Sequence, residues 1–171
     1  TVLENKLIKK LQILKKNGLI GVKAEFEAEG SNLGDINRLR RITNELNIEL
    51  HVKIGGVEAY RDLYDCIEMN VDGIIAPMVE TSFGALKFKE MLNKIHSYVK
   101  TLPEITINIE TRSGMKEIKK ILHILKNDLN NVTFGRTDLS RSFFDKRIHP
   151  DSLKLNQMIL IATKICKEYK V

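Results

Sequence analysis

The chain has 171 residues, 43% of them hydrophobic and 29% charged, with a net charge of +6 and a pI near 9.3. That is enough chain for one domain with a proper core, and no apolar run approaches the ~20 residues of a bilayer span. Aromatics reach only 6% and tryptophan is absent, so the excess of lysine lacks the stacking platform of a nucleic-acid binder. Solvated helix faces account for most of the positive charge, and a small acidic metabolite suits the remainder better than a polymer or a membrane does. Cys66 and Cys166 have neither metal-ligand nor redox spacing. With no signal-peptide pattern, a cytoplasmic address is expected.

In chain order, Leu3, Leu7, Leu11 and Leu14 predict an amphipathic helix over about 2–16. Asn17-Gly18 stops it, and a strand is predicted over 20–28. Leu33, Ile36, Leu39, Ile42 and Leu46 form one stripe of a helix over about 33–46. A second strand, about 48–54, ends at Gly55-Gly56 and is followed by a helix over 57–69. The third strand is V-D-G-I-I-A-P-M, and a long helix is predicted over about 82–99. Pro103 precedes a fourth strand at 105–110, and Ser113-Gly114 opens a helix to about 126. The fifth strand is predicted at about 131–136. A polar loop containing Pro150 then leads to a last helix over about 152–169. Five βα repeats imply a parallel sheet in a single domain.

The strands alternate, and this decides the architecture. The first carries Lys23, Glu25 and Glu27 against Val22, Ala24 and Phe26. The second carries Glu49, His51 and Lys53 against Leu50, Val52 and Ile54, and the fourth Thr106, Asn108 and Glu110 against Ile105, Ile107 and Ile109. Central strands of a doubly wound sheet, covered on both faces, read as continuous apolar runs. Here one face is apolar and the other polar, as in a barrel with a wet lumen. The predicted fold class is therefore α/β of the (β/α)8 TIM-barrel type, incomplete, with about five βα units. Five strands cannot close such a barrel, so a truncated chain or an assembly in which a second copy covers the gap is expected.

Parallel α/β folds place chemistry at the C-terminal ends of their strands. Four of the five ends carry an acid. Glu110 and Asp138, on consecutive strand ends, suit a Mg²⁺ or Mn²⁺ ion completed by water and a bidentate oxygen ligand. Either carboxylate alone would read as a cap or a surface charge. His51 faces the lumen, either as a structural donor or as an acid/base. Gly55 and Gly56 form either a simple loop or a close backbone approach to a ligand carboxylate or phosphate. Arg141 reads as a solvated loop charge near the mouth.

At these same ends, A-P-M-V-E-T (76–81), I-N-I-E-T (107–111) and F-G-R-T-D-L-S (134–140) resemble, in order and spacing, the HpcH/HpaI aldolase and citrate lyase β-subunit family over roughly residues 20–145. The resemblance implies a phosphoenolpyruvate/pyruvate-type barrel and a metal-dependent carbon–carbon lyase acting on a 2-oxo acid, an acyl-CoA-linked acid or a sugar acid. It implies Glu110 and Asp138 as metal ligands and a turn from Pro77 to Thr81, with Glu80, that shapes the pocket floor; Thr137, and Gly55 and Gly56 if they approach a ligand, are the other candidate substrate contacts. Lys53 stands where the family usually has arginine, keeping the charge without the bidentate fork. Arg136 replaces a small or neutral residue and is expected to reach a substrate carboxylate or a larger acidic substituent. The acid–histidine pair of some members is absent; Glu27 or Glu29 would serve as base or sugar-hydroxyl ligand, while Glu25 either takes part or only pairs with Lys23 or Lys53. A homo-oligomer is expected. The competing expectations are a non-catalytic subunit that binds an anionic metabolite or serves assembly, and a flavodoxin-like regulator, which would need an open doubly wound sheet.

Overall fold

The computed structural model describes all 171 residues and contains seven helices and five strands. Helix α1 (Val2–Lys16) is followed by β1 (Gly21–Glu25), α2 (Leu33–Leu46), β2 (Glu49–Lys53), α3 (Tyr60–Glu68) and β3 (Gly73–Ala76). Then come α4 (Ser82–His96), β4 (Glu104–Ile109), α5 (Arg112–Leu125), β5 (Asn131–Phe134), α6 (Arg136–Arg141) and α7 (Leu153–Glu168). Strand and helix positions follow the sequence reading, with ends trimmed by a few residues. The exception is α6, which forms within the stretch read as the fifth strand's end and a polar loop.

All four strand pairs are parallel, and the spatial order β1-β2-β3-β4-β5 equals the chain order. That order carries the argument for a barrel. Right-handed crossovers that never reverse direction place every helix on the same face of the sheet, whereas a doubly wound sheet needs a reversal. The flavodoxin-like expectation is therefore set aside. β1 and β5 are the two edges, so the sheet is open: a barrel segment of five βα units.

The helix-facing side is hydrocarbon. Leu50, Val52, Ile74, Ala76, Ile105, Ile107 and Ile109 are at most 1% exposed and belong to a core of 23 buried residues that includes Leu63, Phe88 and Leu92 from the helices. Each fully buried aliphatic chain of this kind contributes about 1.5–3 kcal/mol. A smaller cluster of Leu11, Ile42, Leu46 and Ile48 fastens α1 and α2 to the start of β2, and Ile118, Leu122, Ala162 and Cys166 fasten α7 to α5. Both cysteines are free and buried, and desolvation pushes the Cys66 thiol up to about 12. No helix is long and apolar enough to cross a membrane.

The helices feeding the rim start at caps the sequence supplies. Thr81 accepts from the Gly84 N–H at the start of α4, and Thr111 from the Gly114 N–H at the start of α5. Each cap thus fixes the point at which the chain turns from strand to helix beside the lumen.

Candidate active site

The polar side of the sheet is arranged in rows set by the strand register. One low row joins Lys23 to His51 and His51 to Gly73. His51 is not grouped with the rim acids. Its row continues through Gly73 to Glu104 at the start of β4, six residues before Glu110, which follows the end of that strand. Its Nε2 lies 3.2 Å from Glu49 Oε2, and its ring occupies the space beside Gly73 that a Cβ there would need.

The next row joins Glu25 to Lys53, then Ile75 and Thr106. Glu25 is buried and holds two ammonium groups, Lys53 at 2.7 Å and Lys23 beside it. Burial alone would raise the Glu25 carboxyl, but hydrogen bonds from both lysines outweigh it and hold the group below its ordinary value. Lys53, 19% exposed, is therefore neutralised by a fixed partner.

The rim is built by β4 and its neighbours. Asn108 is paired with Thr133 and Ile109 with Phe134, which brings Gly135 alongside Glu110. Glu110 is only 6% exposed. Its Oε1 accepts from the backbone N–H of Met78 at 3.0 Å, and Asn108 Nδ2 lies 3.4 Å from Oε2. Met78 aims that N–H from a left-handed conformation, φ +53°, which is uncommon for a residue with a side chain. On the other flank, a Cβ on Gly135 would fall on the carboxylate and 2.6 Å from the Glu110 Cβ. Glycine at 135 is what lets the carboxylate stand there.

Asn108 Oδ1 is buried and has no hydrogen-bond partner. An unmade bond of this kind costs free energy and points to a donor or cation that the protein alone does not supply. Asp138 sits in the first turn of α6, about half exposed, with no basic partner nearer than Arg141 Nη1 at 3.9 Å. No group of three or more His, Cys, Asp or Glu side chains gathers at metal-binding spacing. Glu110 is a hard carboxylate anchored beside the orphaned Asn108 oxygen, and Asp138 is an uncommitted one on the helix that follows the next strand. This donor set suits Mg²⁺ or Mn²⁺, which keep several waters.

The remaining expected residues are placed as follows. Glu27 lies beyond the end of β1, exposed, its Cγ close to Gly55. The Gly55 N–H donates to Asp62 Oδ2 at 2.7 Å and is not free for a ligand; Gly56 has open space around it. Pro77 is buried beneath the rim, Glu80 half-buried, and Thr137 exposed on α6. Arg136 differs most from expectation. Its Nε and Nη2 donate to the Pro150 carbonyl, and Nη2 also donates to Asn156 Oδ1 at 2.6 Å and lies 3.2 Å from Asp151. The guanidinium ties α6 to the start of α7. Met78, Gly135 and the orphaned Asn108 oxygen were not anticipated. Only Asn108 carried a sequence signal, the polar alternation of its strand.

No curated protein matches the chain. Among solved structures, that of the citrate synthase SbnG superposes with a TM-score of 0.77 at 17% identity, covering 95% of this chain and 70% of that one. The crystal structure of an HpcH/HpaI aldolase/citrate lyase family protein from Burkholderia cenocepacia superposes with a TM-score of 0.78 at 12% identity, covering 96% and 73%. At such identities the likeness speaks for the barrel fold. The sequence model of one family matches residues 40–167, which run from within α2 into α7 and include the ends of β2 to β5. The chain belongs to the HpcH/HpaI aldolase/citrate lyase family.

Proposed function

We propose that the protein is a divalent-metal-dependent carbon–carbon lyase of the aldolase/citrate lyase type, acting on a small acid with a 2-oxo or acyl-linked carboxyl group. The observation that carries this reading is the anchoring of Glu110 between the Met78 N–H and Gly135, with the uncommitted Asp138 on the helix that leaves the next strand. Glu110 and Asp138 would hold Mg²⁺ or Mn²⁺, with waters and substrate oxygens completing the shell. When bound, such an ion supplies Lewis-acid stabilisation of the negative charge that appears on the substrate as the carbon–carbon bond breaks.

The chain's own residues do the rest. The Met78 N–H and the close flank of Gly135 hold the Glu110 carboxylate in one orientation, so the site is preorganised and not assembled on binding. Asn108 Oδ1 offers a buried acceptor to a substrate hydroxyl or a bound water. Lys23 and Lys53 share the single Glu25 carboxylate, so the three together leave one net positive charge in the lumen. Pro77 and Glu80 shape the floor, and Gly56 leaves room for close approach of the substrate carboxylate.

Mn²⁺ titration followed by paramagnetic relaxation tests this. Binding is expected for the wild type and at least a tenfold weakening for Glu110→Gln and Asp138→Asn, with unchanged circular dichroism. Unaltered affinity in both variants would refute the site. Release of pyruvate from 4-hydroxy-2-oxo acids, measured with coupled lactate dehydrogenase, tests the reaction class. A second reading is a non-catalytic subunit that binds an anionic metabolite. It is favoured by one observation, that Lys53 is already paired with Glu25. Saturable binding of a dicarboxylate by a protein without measurable Mn²⁺ affinity would select it.

A further inference from the structure

Asp138 is carried by α6, a helix of six residues and so of fewer than two turns. Gly135 at its start has no side chain with which to cap it. Leu139 and Ser140 are buried and seat the helix on the body of the protein. One seated turn leaves the direction of so short a helix loosely set. Arg141, the cation that faces Asp138 at 3.9 Å, lies three residues further on in the same helix. It moves with Asp138 and cannot fix where that carboxylate stands relative to Glu110.

Both ends of α6 are tied to other elements. At the far end, Ser142 Oγ accepts from the backbone N–H of Arg112 at 2.9 Å and donates to the Leu139 carbonyl at 2.6 Å. Arg112 opens α5 two residues after Glu110, so this contact joins α6 to the chain that carries the anchored carboxylate. At the near end, Arg136 is the first residue of the helix. Its Nε and Nη2 donate to the Pro150 carbonyl at 3.0 and 2.8 Å, Nη2 donates to Asn156 Oδ1 at 2.6 Å, and Asp151 lies 3.2 Å away. These partners sit just before α7 and in its first turn, and α7 is packed on α5 through Ile118, Leu122, Ala162 and Cys166. A planar fork that bonds two acceptors at once fixes direction as well as distance.

We infer that Arg136 is a positioning residue for Asp138: by bonding the Pro150 carbonyl and Asn156 it fixes the start of α6, and with it the place of the carboxylate two residues on. The inference rests on the reading of Asp138 as a metal ligand. Its sign is the opposite of what charge alone would give. A guanidinium close to a cation site repels the ion, and its removal would also leave Asp151 without a partner. On electrostatics, losing Arg136 strengthens cation binding. On positioning, it weakens cation binding, because a ligand that is no longer oriented binds less well.

Mn²⁺ titration of the whole chain, followed by paramagnetic relaxation, tests it. Arg136→Gln is expected to bind Mn²⁺ about tenfold more weakly than the wild type, as when a group that orients a metal ligand is lost. Arg136→Lys keeps the charge without the fork and should fall between the two. Asn156→Ala removes one acceptor and leaves the guanidinium, and should weaken binding in the same direction by less. In the Asp138→Asn background Arg136→Gln should cost nothing more, since a residue that acts through Asp138 has nothing left to position. Without metal, amide hydrogen exchange of Arg136→Gln should quicken over residues 136–142 and not in β4. Wild-type or tighter Mn²⁺ binding by Arg136→Gln, with Asp138→Asn binding weakly, overturns the inference and leaves the reading of Asp138 standing. A full further loss in the Asp138→Asn background overturns it too. Normal Mn²⁺ binding by Asp138→Asn removes the reading and the inference together. If Arg136→Gln loses the wild-type circular dichroism, Asn156→Ala decides, and wild-type affinity there overturns the inference.

Discussion

The β1–β2 side of the lumen and the β4–β5 side carry similar residue types and treat them in opposite ways. On the first, Glu25 binds Lys23 and Lys53, and His51 is seated over Gly73 beside Glu49. Lys23, Glu25 and Lys53 answer one another within the protein. On the second, Glu110 is anchored through one oxygen, Asn108 has an oxygen with no partner, and Asp138 has only a remote one. Buried polar groups that answer one another stabilise the structure, whereas those left unanswered are available to a ligand. The contrast supports the proposed placement of the chemistry at the rim between β4 and β5.

The largest effect expected from breaking this contrast is at Gly135. Gly135→Ala forces a methyl group onto the Glu110 carboxylate, which has backbone on one flank and Met78 on the other. Overpacking of this kind costs about 1–3 kcal/mol. Mn²⁺ affinity should fall with it, and a variant that bound metal normally would show that Glu110 is not held by this wedge.

Glu25→Gln comes next. It leaves two ammonium groups facing one another across the strands, and a loss of about 1–2 kcal/mol in urea unfolding is expected, discounted for the solvent reaching Lys23. The sign of the pH effect follows from the depressed Glu25 carboxyl. Its contribution is present above the ordinary value of 4.5 and fades as pH falls through the lower folded-state value. The stability difference between wild type and Glu25→Gln should therefore shrink below pH 4.5; a difference that grew on acidification would contradict the pairing.

The smallest stability effect is expected for Asn108→Val. Because Oδ1 has no partner and Nδ2 only a 3.4 Å contact, the change should cost less than about 1 kcal/mol, or even stabilise. Substrate or metal affinity should nevertheless drop. A strongly destabilised variant would mean that Asn108 belongs with the self-satisfied side of the lumen.

Much of the barrel was legible in the sequence because strand alternation is a local property. Lys23, Glu25, His51, Lys53, Asn108 and Glu110 fall on the polar face that their period assigns them. Helix α6 was not legible: Arg136–Arg141 is six residues long, has no side-chain cap at Gly135, and is too short for a periodic stripe. Arg136 was misplaced because its partners lie 14 and 20 residues further on, a separation that no local pattern reports. Met78 escaped because nothing in A-P-M-V-E-T announces a left-handed backbone at a methionine. The clamp on Glu110 is a tertiary arrangement, and only the carboxylate at its centre has a sequence signature.

The imidazole seated over Gly73 has a consequence for how this barrel can change over time. A methyl group at 73 would evict the ring, and a smaller side chain at 51 would leave a hole above a bare backbone. The two positions, on neighbouring strands, are therefore sterically coupled. Across related sequences, bulk at the first should be accompanied by its loss at the second.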